Sequence, residues 1–192
     1  MFFKNQVQPP RRTTISTAQM NLVFRLRMIW RELATWLRTY MVSLYAGVGN
    51  TEAISQRLFR LPLEYGSILR IFFGDQITER YITLMTRYIA LLQSLLIARI
   101  NNDIDSINSL TQQIFQNIDE RADFLAGINS YWQKSQWLSL LTSFNRLQIE
   151  EATSFLTRDY TRNIEIFERI LSLTNVIGDY FSEGIINYLA SS

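Results

Sequence analysis

The sequence contains no cysteine and no histidine, and these two absences remove a good deal of chemistry. Without cysteine there can be no disulfide, iron–sulfur cluster or thiolate zinc site, and the redox compartment stays open. Without histidine the commonest metal ligand is missing, as is the side chain that most readily moves protons near neutral pH. Serine nucleophiles therefore lack their usual base. Gly-x-x-x-x-Gly-Lys and Gly-x-Gly-x-x-Gly are also absent, and no strand pattern could carry such a phosphate loop. One carboxylate pair, Glu150-Glu151, falls at an expected helix start, where the helix dipole accounts for it. The residues predict a protein that is not an enzyme.

The chain has 192 residues, 47% of them apolar, enough for one domain with its own core. A near-neutral total charge hides an asymmetry. Residues 1–100 carry 13 Lys/Arg against 5 Asp/Glu, and residues 101–192 carry 6 against 12. If the halves pack together, the charges complement each other internally. Head-to-tail association of a polar molecule is the other reading. The basic residues form no single run, so nucleic acid is not an expected partner. MFFKNQVQPPRRTTIST lacks the apolar stretch of a signal peptide. TYMVSLYAGVGNT, the longest charge-free run in the apolar region, is too short for a membrane span. A soluble protein is expected.

Residues 1–16 read as a flexible basic tail and 17–192 as a single helical domain. Leu22, Leu26, Ile29, Leu33, Trp36, Tyr40 and Leu44 recur by threes and fours, predicting an amphipathic helix that Gly47 and Gly49 end. Thr51 is a candidate cap for a short helix to Arg60, and Pro62 opens another that Gly74 stops. Long helices follow from Asp75 to about Arg99, over 104–127, and from Asp159 onward. Two short helices are predicted between the last two, near 134–145 and 149–157. Gly178 and Gly184, inside the last helix, suggest close helix contact or a bend. The order long, two short, long occurs twice. The expected fold is all-α: a four-helix bundle of two pseudo-repeated hairpins, with pairs of short helices in the long connections.

A bundle invites a test for carboxylate metal chemistry, whose Glu-x-x-His motif cannot be built here. An all-carboxylate set would need Glu32, Glu79, Asp119 and Glu165 or Glu168. These lie beside Arg31, Arg80, Arg121 and Arg169, as on solvated helix faces, so no metal is expected. Trp30, Trp36, Tyr40 and Tyr45 read as core, with a pocket for an apolar ligand as the alternative. Docking on a membrane surface is disfavoured by Arg25, Arg27, Arg31 and Arg38 around the stripe. Asn117 and Asn129 are candidate buried groups that satisfy backbone at the short-helix junction, and Asp119 could do the same or contact Arg38.

The segments RMIWRELATWLR, FFGDQITERYITLMTRY, NIDERADFLAGINSYW, LLTSFNRLQIEEA, DYTRNIEIF and GDYFSEGII resemble small all-helical bacterial proteins often labelled acetylglutamate kinase. The resemblance covers about residues 22–188. Such a kinase needs an α/β sheet and glycine-rich loops, which this chain lacks, so the resemblance bears on fold and not on activity. In the relatives histidine stands where this chain has Leu33, Tyr88 and Phe144. That implies an ancestral histidine–carboxylate site, reminiscent of ferritin-like or hemerythrin-like bundles, filled here by hydrophobic packing. The expected protein is bacterial and cytoplasmic, non-enzymatic, without cofactor, and acts by contact with itself or another protein as a homo-oligomer. A bundle that stores an apolar ligand is the alternative, and a degenerate metal-site protein is a more distant one.

Overall fold

The structure is a computed structural model and describes residues 15–191; positions 1–14 of the basic tail lie outside the described residues. These residues form six helices and no strand, so the all-α expectation holds. Capping chemistry sets most boundaries. The Gln19 N–H donates to Ser16 Oγ at 3.2 Å and the Ser16 N–H donates to Gln19 Oε1 at 3.0 Å. This reciprocal cap starts α1, Thr17–Ala46. Gly47, at φ +67°, closes it by donating to the Ser43 carbonyl. Asn50, one residue before the expected Thr51, caps α2, Thr51–Leu58. Helix α3, Leu61–Ile100, is broken at Gly74, whose φ of +74° no ordinary helical residue adopts. Asp103 caps α4, Ile104–Ile128. Asp159 accepts from the Arg162 N–H at 3.1 Å and starts α6, Tyr160–Ser191.

The connection between α4 and α6 corrects the sequence reading. It holds one continuous helix, α5, Lys134–Leu156, and not two short ones. The gap expected at 146–148 is helical, and Asn145 and Gln148 at its edges are both buried on the core face of this helix. Glu150 and Glu151 accordingly lie in its late turns and not at a helix start.

Packing pairs α1 chiefly with α6 and α3 with α4, while α5 lies against both α4 and α6. One hydrophobic cluster runs through all six helices. Gly178 and Gly184 mark close contacts: a Cβ at Gly178 would lie 2.7 Å from the Arg27 backbone, and one at Gly184 would overlap the Trp132 indole. Beside the first contact, Arg27 grips Asp179 with two hydrogen bonds of 2.5 and 2.7 Å. With Arg38–Glu151 and Arg87–Glu120, this pair joins a base of the first half to an acid of the second. Part of the charge asymmetry is thus compensated internally. A stretch within 51–100 is long and apolar enough to cross a membrane by composition, and 56% of it is buried inside the protein.

Candidate functional site

The interior is polar where sequence reading expects it to be apolar. Arg121 projects from α4 and is only 2% exposed. Its guanidinium carbon lies 4.2 Å from the centroid of the Tyr88 ring, a cation–π contact of the kind that strengthens when water is excluded. Its one hydrogen bond runs from Nη1 to the Met85 thioether at 3.2 Å, a weak acceptor. Nε has no partner, and among the described residues no carboxylate lies within ion-pair distance. Burial pulls the guanidinium below its usual range, with the neighbouring Tyr88, Tyr81 and Tyr65 opposing that shift. Burial in turn pushes all three phenols above theirs, so they stay neutral and supply no counter-charge.

Around this cation the contacts link four helices. The Tyr88 hydroxyl donates to Asn145 Oδ1 of α5 at 3.4 Å. Trp30 of α1 meets Tyr65 and Phe144 edge to face, at centroid distances of 5.5 and 5.7 Å. Tyr65 in turn lies 6.2 Å from Tyr81. Several polar atoms in the cluster have no partner: Trp30 Nε1, the Tyr65 hydroxyl, Arg121 Nε and Asn145 Nδ2; on α5, three residues past Asn145, both side-chain heteroatoms of Gln148 are also buried without one. Most are donors. Buried polar groups are almost always hydrogen-bonded in native proteins, so a donor-rich cluster beside an uncompensated cation has the character of a binding site. The apolar rings, by contrast, contact one another directly. What the interior leaves unsatisfied is polar.

The three positions taken as a filled former site are all buried: Leu33 on α1, Tyr88 on α3 and Phe144 on α5. Tyr88 and Phe144 belong to the cluster through Arg121, Asn145 and Trp30. Asn117 donates from Nδ2 to the Leu84 carbonyl at 3.0 Å, tying α4 to α3 and not to a short-helix junction. Asn129 does serve a connection, accepting from the Tyr131 N–H at 3.0 Å. Arg38 pairs with Glu151 and stacks over Phe167 at 4.5 Å. The expected contact between Arg38 and Asp119 is therefore wrong: Asp119 is half exposed on α4 and takes Lys134 at 3.1 Å. The carboxylates weighed for a metal are dispersed, Glu32 on Arg57, Glu79 on Arg70, and Glu165 and Glu168 exposed on α6. Among the described residues no three acids gather as a metal site requires.

Two functional candidates escaped the sequence reading. Arg121 was grouped with arginines of solvated faces, and its burial overturns that. Its register was legible, because it falls between Ile118 and Leu125 on the stripe that buries α4. Glu151 is fully buried against Arg38, and burial raises its carboxyl to about 7. No family model, curated protein or solved structure matches the chain, and its functional reading rests on these residues alone.

Proposed function

We propose that this protein is a non-enzymatic helical bundle that works by binding a small molecule in its interior. The observation that carries this reading is Arg121, buried without a carboxylate partner among polar atoms that also lack partners. A lone buried charge is too costly to be retained for packing alone, and a guest would offset the cost. The ring-on-ring contacts of Trp30 with Tyr65 and Phe144 favour a small polar guest over the apolar ligand that the sequence offered as an alternative to self-assembly. In this reading α1, residues 75–100 of α3, α4 and α6 are the long helices of two pseudo-repeated hairpins in a four-helix bundle, with α5 inserted between α4 and α6. Native mass spectrometry of the purified chain tests it. A reproducible non-covalent mass lost on unfolding is expected. A bare polypeptide mass, unchanged after incubation with cell extract metabolites, would overturn the reading.

A second reading is self-assembly in a bacterial cytoplasm. Met20, Phe24 and Met28 favour it, because they follow one another at four-residue spacing on α1 and are each about half exposed. Sedimentation velocity of the wild type and of Phe24→Glu tests this reading. A concentration-dependent oligomer that Phe24→Glu dissolves is the expected result.

A further inference from the structure

We infer that the interior site around Arg121 takes a small carboxylate as the missing counter-ion. This assignment rests on the interior-binding reading above and narrows it to one ligand class. A buried arginine has five N–H donors in a planar fork and cannot shed its charge at any ordinary pH. Here a thioether receives one of them, and among the described residues no acid is within ion-pair distance of the rest. The unpartnered Nε lies on the edge of the fork that a carboxylate engages with two parallel hydrogen bonds. Trp30 Nε1, the Tyr65 hydroxyl, Asn145 Nδ2 and Gln148 Nε2 are further buried donors without acceptors.

The donor type excludes other classes. A cation would meet Arg121 head on. A neutral apolar guest would satisfy none of the donors and leave the guanidinium desolvated and unpaired. A divalent oxyanion such as phosphate would bring a second negative charge into a cluster that holds a single cation. Tyr65, Tyr81, Tyr88 and Phe144 are all buried, so a counter-ion beside Arg121 would be held among aromatic rings and largely out of solvent. Exclusion of water in turn strengthens a charge-assisted hydrogen bond.

The test follows thermal unfolding of the full chain after exhaustive dialysis, titrated with sodium formate and separately with sodium chloride at matched ionic strength. A saturable rise of several degrees with formate, at least tenfold weaker with chloride, is expected. Tyr65→Phe, which removes one donor at almost constant volume, should weaken the formate response several-fold. Arg121→Met should abolish it. Equal responses to both salts would overturn the carboxylate assignment, as would a formate response that survives in Arg121→Met. Absence of any saturable response would also overturn it, and native mass spectrometry then separates the two levels. A neutral bound molecule leaves the interior-binding reading standing, and a bare chain removes both.

Discussion

The indole of Trp132 occupies the space that a side chain at Gly184 would need. A Cβ at Gly184 would overlap the indole nitrogen, which donates instead to the Tyr180 carbonyl at 3.2 Å. Trp132 also meets Phe181 and Trp137 at 4.9 and 5.7 Å, and with the Gln133 N–H donating to the Tyr180 hydroxyl at 2.6 Å this ring anchors the connection before α5 on α6. Gly184→Ala must expel the ring or part the helices. Overpacking of this kind costs about 1–3 kcal/mol. Urea denaturation should show a lower midpoint, and near-ultraviolet circular dichroism should lose part of its tryptophan signal.

Arg121→Met is expected to stabilise the ligand-free protein. Methionine keeps most of the stem in a core of similar shape and removes a charge that burial disfavours. Replacing even a paired buried charge by apolar volume is often neutral or gains about 1–4 kcal/mol, and among the described residues Arg121 has no ion-pair attraction to lose. Equilibrium unfolding in dialysed buffer checks the sign. A less stable variant would mean that the contacts with Tyr88 and Met85 outweigh the desolvation of the guanidinium.

The contrast between these sites explains how far the sequence was legible. Helix limits were, because Gly47, Gly74, Asp103 and Asp159 are local signals whose effect does not depend on the rest of the fold. Gly178 and Gly184 announced close packing for a similar reason: they lower helix propensity and need a compensating contact. The continuous α5 was not legible, since only tertiary packing places polar Asn145 and Gln148 in the core. Arg121 misled for the same reason. Charge next to Asp119 and Glu120 suggests a wet surface, and only the register shared with Ile114, Ile118 and Leu125 argues for the core. Composition outweighed periodicity in that reading, and periodicity was the better guide.

Exposed ion pairs should matter far less than the buried groups. Arg27 and Asp179 are 40% and 43% exposed despite their short two-point contact. Such pairs contribute roughly 0–1 kcal/mol, less in salt. Asp179→Asn is therefore expected to shift the denaturation midpoint only slightly. Gly178→Ala, one residue away, should shift it strongly, because its Cβ would meet Arg27 Cα at 2.7 Å. Comparable losses in the two variants would mean that the ion pair, and not the close backbone approach, holds α1 to α6.

Glu151 gives the protein a stability that depends on pH with a defined sign. Burial raises its carboxyl to about 7, with Arg38 pulling in the opposite direction. The folded protein thus holds this proton more tightly than the unfolded chain, where a glutamate titrates near about 4.3. The contribution is complete below the unfolded value and is lost as pH rises through about 7. The difference amounts to about 4 kcal/mol at most, by the conversion of one pKa unit to 1.36 kcal/mol. Unfolding free energy should accordingly fall between about pH 5 and pH 8. Glu151→Gln keeps the shape and a hydrogen bond to Arg38 but cannot ionise, and it should flatten the profile across that window. Urea titrations at matched ionic strength read this directly. A wild-type profile that is flat, or that rises over the same window, would show that Arg38 stabilises the carboxylate more than burial penalises it.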